Sequence, residues 1–519
     1  MEKRLLLAVT LSILVMLLYP FFIPKITPPH TEQQQLSLQQ LEKKEDMVIT
    51  KEEVALPSDA IFRTLNTDRY ILDIVDAGGS INNIKIKNGK GFGINLVEKA
   101  DFQAGILAME GSGALSGLSS ERFEIKEEGS ALYFLKNNIA IEKNICFLKD
   151  KYAIDASINI KNNSSYIQDF IFEITTASNI YDKEQMESRY IEADILYKDG
   201  KFEKIASSNL KKYNRLYKEN IEWLMLRNKY YSITARPDFP VSGVFTKNIK
   251  GRLVTGFIVD GKIMPAEMKT YNLLFYIGPM DIDELGKLDA SFDKVLNFGK
   301  LTSIVLILLG ALKFFYMLFH NYGISILLLT LCVSLLLYPL TFKSLKSMKK
   351  LQELQPQMEK LRLEHKDNPQ KFNKEIMELY RRYNVNHMSG CLPIVLQMPI
   401  FIALYQTLMR SVELKGASFL WIRDLSMPDA AFHLPFILPF FCNAINLLPI
   451  LMIGAMIIQQ KFTQKTAATL QTEQQKIMSA IMPVMFGFIF YSLPSGLVLY
   501  WLTNTLLTSL LQFLFLRKT

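Results

Sequence analysis

Uncharged polar side chains recur at helical spacing within the apolar segments of the last two hundred residues. Thr330, Ser334 and Tyr338 are four residues apart, so a helix would place them on one face. The last apolar segment repeats this spacing with Tyr500, Asn504, Thr508 and Gln512. Hydrogen bonding between membrane helices would explain any one such residue. The two stripes, together with Gln397 in a third segment, predict a hydrated concave surface inside a membrane.

Catalytic motifs are missing from the sequence. There is no G-x-x-x-x-G-K-[ST] phosphate loop, no H-E-x-x-H zinc motif and no G-x-S-x-G nucleophile elbow. The five histidines and four cysteines show no metal-ligand spacing. The last five apolar segments hold no interior Asp or Glu of the kind that proton-coupled carriers and aspartyl proteases use. We therefore predict no enzyme, no catalytic residue, no cofactor and no metal.

Apolar segments organise the chain, whose residues are 49% hydrophobic. They are Leu5–Ile23, Leu301–Phe319, Ile324–Thr341, Leu392–Met409, Leu434–Ile458, Ile477–Leu493 and Leu497–Leu516. Most approach or exceed the roughly 20 residues with which a helix crosses a bilayer. The net charge is +9, and Lys and Arg beside apolar segments mark the cytoplasmic side of a membrane. This pattern favours a membrane protein over one that binds nucleic acid.

Charge and length predict how these segments cross the membrane. Leu5–Ile23 predicts an uncleaved anchor (1–23), with a cleaved signal peptide as the alternative. Residues 343–386 contain eleven Lys and Arg against six Asp and Glu, so we place them in the cytoplasm. One crossing then separates them from the preceding domain, and the uncharged Ile324–Thr341 fits it best. We predict six spans, both termini in the cytoplasm and an interfacial amphipathic helix within 291–322.

The loop 343–386 should form a helical hairpin that projects into the cytoplasm. Asn368-Pro369 has the order of a helix N-cap followed by proline at the first helical position. Pro356 should kink or divide the first helix. The basic residues predicted to contact clients or the ribosome are Lys346, Lys349 and Lys350. A charge cluster that serves topology alone is the alternative.

The middle of the chain predicts a linker and a folded domain. Residues 24–56 are rich in Gln, Glu and Lys, which is typical of a flexible linker. Polar and apolar residues alternate in Tyr152–Ile160, as they do in a half-buried strand. Turn signals between such runs predict an antiparallel β-sandwich over 57–290. We interpret Tyr217–Tyr231 as one helix on its edge.

Short motifs follow one another between about 320 and 517 and carry a family resemblance. They are Tyr338-Pro339-Leu340-Thr341, Leu354-Gln355-Pro356, Gly390–Ile394, Gln397–Phe401, Ser411–Leu414, Trp421–Ser426, Gln475–Met478 and Pro494–Trp501. In this order they resemble the YidC/Oxa/Alb family of membrane protein insertases. Tyr276-Ile277-Gly278-Pro279 and the N-terminal anchor extend the resemblance to the Gram-negative form. That form has a large periplasmic domain, which implies a β-super-sandwich like that of sugar mutarotases.

The resemblance implies a function as a membrane insertase and chaperone in the bacterial inner membrane, alone or with the Sec translocon. Five core spans, within 323–519, would surround a hydrophilic groove open to the cytoplasm and to lipid. A nascent membrane protein, the client, would place its polar part there before its apolar segment enters the bilayer. The implied groove residues are Thr330, Ser334, Tyr338, Gln397, Tyr500, Trp501 and Asn504. The β-sandwich lacks a histidine of the kind that mutarotases use, so we expect it to be non-catalytic.

Two features depart from the family pattern. Members usually carry an arginine in the groove where this chain has Ser334. The C-terminal tail is also very short, which weakens the expected ribosome contact. The competing functions are a transporter or channel lined by the polar stripes and a lipid- or sugar-processing enzyme based on the β-sandwich. The insertase motifs and the missing acidic, histidine and phosphate-binding residues oppose both.

Overall fold

The structure, a computed structural model, describes most of the chain from residue 55 to residue 517. The described residues are 55–87, 93–97, 105–126, 130–136, 138–178, 191–205, 214–216, 219–249, 252–288, 292, 294, 301–365, 368–383, 392–438, 442–465 and 473–517. The predicted anchor at 1–23 lies outside them, as does the linker at 24–56 apart from its last two residues. A β domain comes first and a helical domain follows.

Antiparallel strands build the β domain. They are β1 (Phe62–Asn66), β2 (Tyr70–Val75), β3 (Ser80–Lys87), β4 (Gly93–Val97), β5 (Met109–Gly111), β6 (Glu124–Lys126), β7 (Ala131–Lys136), β8 (Ile139–Phe147), β9 (Ala153–Asn162), β10 (Gln168–Ser178), β11 (Glu192–Tyr197), β12 (Phe202–Ile205), β13 (Asn214–Leu216), β14 (Ile221–Arg227), β15 (Tyr231–Pro237), β16 (Gly243–Ile249), β17 (Arg252–Ile263) and β18 (Met268–Pro279). The described residues place them in three sheets, ordered β1-β2-β3-β4, β13-β16-β17-β10-β5 and β12-β11-β14-β15-β18-β9-β8-β7-β6. The predicted all-β character of this domain is confirmed.

The core of the β domain lies between its two larger sheets. In β9 the side chains of Ile158 and Ile160 are buried, whereas those of Asp155 and Lys161 are exposed. From the other sheet β10 brings Phe172 into the same apolar cluster and packs on β14 and β15. Burial of such side chains contributes about 1.5–3 kcal/mol each. Apolar packing between the sheets therefore holds the domain together.

The predicted helix at Tyr217–Tyr231 is wrong. Residues 221–227 form β14, which pairs with β11 and β15 in the nine-stranded sheet. Almost every residue of this strand is buried, and Trp223 is completely inaccessible to solvent. A strand covered on both faces lacks the alternation that marks a half-exposed strand. Its apolar run therefore has no period that separates it from a buried helix.

A buried lysine links the nine-stranded sheet to the turn between β2 and β3 and to the residues just before β5. Lys143 belongs to β8 and is fully buried between Ile141 and Ile145. Its Nζ donates to the carbonyl oxygens of Gly78 at 2.9 Å, Gly79 at 2.9 Å and Leu107 at 2.8 Å. Three acceptors match the three N–H groups of an ammonium. Burial lowers the pKa of Lys143 to about 7.

This lysine predicts a pH dependence of stability. Between pH 7 and 10.5 the unfolded chain keeps the proton of Lys143 while the folded chain loses it, so stability should rise with pH. The free energy of unfolding of the intact protein, relative to that of Lys143→Met, should rise by up to about 4 kcal/mol between pH 7 and 10. Thermal unfolding of both proteins in detergent measures the difference. Parallel pH curves would contradict the expectation and show that the carbonyl oxygens retain the proton.

Helices build the rest of the described chain. They are α1 (Ile282–Leu285), α2 (Thr302–Phe319), α3 (Tyr322–Glu353), α4 (Gln355–Glu364), α5 (Pro369–Arg382), α6 (Leu392–Arg410), α7 (Leu447–Lys465), α8 (Glu473–Phe490) and α9 (Ser495–Arg517). Three stretches are long and apolar enough to cross a membrane: Thr302–Phe319, Tyr322–Ser347 and Ser495–Phe515. Two shorter apolar stretches are Leu447–Phe462 and Ile481–Phe490. A membrane helical bundle is therefore supported, while six spans and the interfacial position of α2 stay predictions.

The predicted helical hairpin is present in the described part of 343–386. The helical conformation is interrupted between α3 and α4 at Leu354, two residues before Pro356. Asn368 caps α5, because its side chain accepts a hydrogen bond from the amide of Lys371 at 3.1 Å. Leu354, Met358 and Leu379 form a small apolar cluster between the helices. Lys346, Lys349 and Lys350 belong to the continuous helix α3, which extends into the hairpin.

The segment Leu434–Ile458 is not one helix. Strands β19 (Phe432–Leu438) and β20 (Cys442–Ile445) pair antiparallel, and α7 begins only at Leu447. Pro435 has no amide hydrogen to continue a helix and suits an edge strand. The apolar run therefore contains a hairpin and a shorter helix. Hydropathy alone did not separate the two.

Candidate functional site

Two polar residues from different helices meet in the interior of the helical domain. Ser334 of α3 and Asn504 of α9 are both half-buried, and the helices pack against each other. The Ser334 hydroxyl donates to Asn504 Oδ1 at 3.3 Å. The two stripes predicted from the sequence therefore face each other at this level.

A second polar pair joins α6 to α9, one helical turn closer to the start of α9. The Gln397 side-chain amide donates to the Tyr500 hydroxyl at 2.6 Å. Tyr500 is buried and Gln397 is half-buried. Because Tyr500 and Asn504 are one helical turn apart on α9, the two pairs form one cluster. We call Ser334, Asn504, Gln397 and Tyr500 the polar site.

The other predicted groove residues lie around the polar site in different environments. Thr330 is buried, and its hydroxyl donates to the carbonyl of Ile326 in its own helix at 2.6 Å. Tyr338 is 40% exposed and lies beside the ring of Phe342. Trp501 packs among aromatic rings, and those within 6 Å of its own are Phe401, Phe486 and Phe490. The hydroxyl of Thr330 is therefore directed to its own backbone rather than to the polar pairs.

The polar site carries no formal charge. The described stretches 322–342, 397–409 and 495–515 contain no Lys, Arg, Asp or Glu. The groups that can act on a bound molecule are thus hydroxyl and amide groups, which can both donate and accept hydrogen bonds. Such a site can exchange its internal bonds for bonds to water or to peptide groups.

The end of the bundle at which α7 and α9 begin contains an acceptor that the sequence patterns did not indicate. Asp429 is buried and accepts hydrogen bonds from the amides of Leu447 at 2.8 Å and Leu448 at 3.1 Å. It also accepts one from the Trp421 indole at 3.1 Å. The carboxylate therefore satisfies the amino terminus of α7 from 18 residues away. The Trp421–Ser426 motif was the nearest available signal.

Ionic contacts at the same end were also missed. Lys313 of α2 lies 3.0 Å from Asp281, 2.7 Å from Asp283 and 3.1 Å from Glu413. Asp283, Asp281 and Glu413 are 30, 32 and 100 residues away from Lys313 in the chain, so local sequence patterns do not reveal these contacts.

The fold and the polar site define an integral membrane protein that carries a folded β domain. Residues 314–519 match the family described as 60Kd inner membrane protein, and residues 130–309 match the YidC periplasmic domain. A protein of Pelobacter propionicus named membrane protein insertase YidC is 32% identical over 98% of each chain. The chain therefore belongs to the YidC family of membrane protein insertases.

Further similar proteins are a second insertase relative and two solved structures. The membrane protein insertase YidC of Methylobacillus flagellatus is 30% identical, over 100% of this chain and 97% of the relative. The solved structure described as an active YidC insertase with its first transmembrane domain resolved is 19% identical, covers 93% of this chain and 99% of its own, and has a TM-score of 0.38. A galactose mutarotase-like protein of Lactobacillus casei covers 42% of this chain and 100% of its own, with 10% identity and a TM-score of 0.33.

Membership of this family settles the function in outline. The chain is a multi-pass protein of the inner membrane that inserts other proteins into the bilayer. Its substrates are nascent membrane proteins and its surroundings are lipid. It is an insertase and not an enzyme, as the sequence predicted.

The Asp429 cap predicts a large effect on stability. Asp429→Ala should lower the free energy of unfolding by about 2–4 kcal/mol, because two amides at the start of α7 and the Trp421 indole lose their charged acceptor. Thermal or denaturant unfolding in detergent measures the loss. Asp424→Ala is the matched control, because the only hydrogen bond described for the Asp424 side chain comes from the nearby amide of Ser426. It should cost about 1 kcal/mol, and equal losses in the two variants would contradict the role of Asp429.

Proposed function

We propose that the polar site receives the hydrophilic part of a client in a groove that opens to the cytoplasm and to lipid. The observation that carries this proposal is the pair of hydrogen bonds, Ser334 to Asn504 and Gln397 to Tyr500, inside otherwise apolar helices. Exposure along α3 supports the direction of opening. Thr330 is buried, Ser334 is half-buried and Tyr338 is exposed, so access increases toward the hairpin end.

The proposed topology has six spans, with both termini in the cytoplasm and the β domain in the periplasm. The basic hairpin 343–386 supports a cytoplasmic position for the inner end of α3. Only His320 and Asn321 separate α2 from α3, a connection that suits a turn at one membrane surface. Lys313 in the middle of α2 pairs with carboxylates of the β domain, which supports an interfacial position for α2.

The groove would act by shortening the apolar path of a polar client segment. Each backbone group without a partner in hydrocarbon costs several kcal/mol. Hydroxyl and amide groups of the polar site can bond such groups while the client's apolar segment moves into lipid. The bonds within the site are weak enough to exchange, because interhelical hydrogen bonds in membranes average about 0.6 kcal/mol.

The absence of a groove arginine should change which clients are preferred. An arginine would attract acidic client segments, since unit charges about 4 Å apart gain roughly 1 kcal/mol in water and roughly 4 kcal/mol at an effective dielectric of 20. Ser334 bonds Asn504 instead. We therefore propose a groove that works by hydration and by neutral hydrogen bonds.

A photocrosslinker tests the position of the client. Placed at residue 334 it should capture nascent chains during insertion, because this position lies in the polar site. Leu336 is the control, since it is 75% exposed and two residues away, on the opposite side of α3. Equal capture at both positions, or none at 334, would refute the proposed groove.

Paired clients test the neutral character of the groove. Insertion of clients with neutral and acidic polar tails should differ by less than about threefold, whereas Ser334→Arg should raise the preference for the acidic tail about tenfold or more. Ser334→Gln is the matched control, because it adds length without charge. A strong preference of the unchanged protein for acidic tails would contradict the proposal.

The hairpin is the proposed landing surface for clients or for the ribosome. Lys346 and Lys350 are exposed on the end of α3, and Lys349 is half-buried there. A basic surface attracts acidic and phosphate-bearing partners over distances near the Debye length. A role together with the Sec translocon is likewise proposed, on the basis of the family alone.

Charge reversal tests the hairpin. Changing Lys346, Lys349 and Lys350 to Glu should slow client insertion severalfold while leaving the protein's own topology intact, because the surface loses its attraction for partners. The control makes the same charge change on exposed lysines of the β domain, at Lys149, Lys198 and Lys201. Protease protection of a client measures insertion, and thiol labelling from each side of the membrane measures topology. If insertion and topology fail together, the charges serve topology alone.

A further inference from the structure

The segment that leaves the outer end of α6 threads between the two domains. Val412 packs against the apolar core of the β domain, whereas Leu414, two residues later, is fully buried in the core of the helical bundle. Further along, Ile422 and Leu425 are buried in the same bundle core. We call residues 411–429 the outer cap, because they cover the bundle end from which α9 starts.

Hydrogen bonds fix the outer cap to the start of α9. The amide of Gly496 donates to the carbonyl of Leu425 at 2.9 Å, and the amide of Ser495 donates to the carbonyl of Met427 at 2.7 Å. The Ser495 hydroxyl donates to the carbonyl of Asp424 at 3.1 Å. Asn504 is nine residues further along α9, which is about 14 Å at 1.5 Å per residue. The outer cap thus lies between the polar site and the outer surface.

Charged residues tie the first part of this cap to elements outside the bundle. Glu413 is 8% exposed and accepts from the Ser411 hydroxyl at 2.6 Å, while its other oxygen lies 3.1 Å from Lys313 Nζ. Lys313 in turn bonds Asp281 and Asp283, which precede and begin α1 at the end of the β domain. One ammonium therefore joins the cap, α2 and the β domain.

A second ionic group lies on the other side of the same segment. Arg227 of the β domain donates to Asp194 at 3.0 Å and also pairs with Glu192. Arg410, the last residue of α6, interacts electrostatically with both carboxylates. Burial would raise the pKa of Glu192, but Arg227, Lys204 and Arg410 hold it below its usual value.

An aromatic contact completes the attachment. The ammonium of Lys415 lies 4.8 Å from the ring centre of Tyr230 and 5.8 Å from that of Tyr231. Such cation–π contacts stabilise by about 0.5–2 kcal/mol. Within 410–415, Arg410, Val412 and Lys415 thus interact with the β domain, and Glu413 interacts with Lys313 of α2.

We propose that Lys313 and Glu413 form an ionic lock that keeps the polar site closed on its outer side. This inference rests on the proposed groove and adds the residues that seal it. Glu413 carries the connection between cap and α2, so its loss frees the cap without leaving Lys313 unpaired. Loss of Lys313 leaves three carboxylates close together, which repel each other and separate the same elements. Lys313 and Glu413 are positioning residues that do not touch the client.

Thiol labelling tests the lock in the full-length protein in oriented membranes. Cys146, Cys332, Cys391 and Cys442 are replaced by Ser, and Ser334→Cys is introduced as the reporter. A membrane-impermeant methanethiosulfonate is added from one side at a time. With Lys313 and Glu413 intact, labelling should occur from the cytoplasmic side and be at background from the outer side.

Breaking the lock should open the outer side. Glu413→Gln and Lys313→Met should each raise the outer-side labelling rate about tenfold or more, the factor expected from losing an ion pair worth about 1.4 kcal/mol or more away from bulk water. Lys313→Arg should restore the seal. Asp283→Asn is the matched control, because the Asp283 side chain is 72% exposed and its loss leaves Glu413 and Asp281 in place.

Each result bears on one idea separately. If Glu413→Gln and Lys313→Met fold normally but stay unlabelled from the outer side, the lock is refuted. Glu413→Gln keeps the test valid if Lys313→Met fails to fold. Absence of cytoplasmic labelling in the protein with an intact lock would refute the proposed groove, whereas the outer-side comparison would still decide the lock.

Discussion

Hydrocarbon offers no hydrogen-bond partner, and many polar groups in the described part of the helical domain are arranged around that constraint. Several hydroxyls donate to the carbonyl four residues earlier in their own helix, namely those of Thr330, Thr407, Thr503, Thr508 and Ser509. The remaining partners in the polar site lie on neighbouring helices, as in the bond from Gln397 to Tyr500. Polar residues of one type thus serve two purposes. In the proposed groove, the residues bonded between helices are the ones that would be released to a client.

The same constraint explains why the two ends of the bundle differ. At the end where α7 and α9 begin, Asp429 and the cap accept hydrogen bonds from the backbone amides at the start of both helices. Toward the hairpin, Ser334 and Tyr338 become progressively more accessible. A site that must exchange partners benefits from weak neutral bonds, because a strong charged bond would resist the exchange. The substitution of the usual arginine by Ser334 fits this arrangement.

Periodicity predicted the parts of the structure whose environment differs between two faces. The alternation in Tyr152–Ile160 gave the strand β9, and the polar stripes gave the contact between Ser334 and Asn504. It failed in β14, where both faces of the strand are buried. It also failed before Leu447, where one apolar run passes from strand to helix. Asp429 and Lys313 were beyond its reach, because their partners lie far along the chain. Thr330 shares the spacing of the stripe, yet spacing does not reveal which acceptor a hydroxyl chooses.

Helix α3 gives the molecule a mechanical property. It is a single rod of 32 residues, about 48 Å long at 1.5 Å per residue, whereas the hydrocarbon layer is about 30 Å thick. Its outer end stacks Tyr322 on Tyr316 of α2 at 4.0 Å, and its inner end carries the hairpin. Pro339 removes one backbone hydrogen bond between these ends, so the helix can bend there. A bend of about 10° there displaces the hairpin end by roughly 4 Å, so the hairpin can move while the aromatic stack at the start of α3 stays in place.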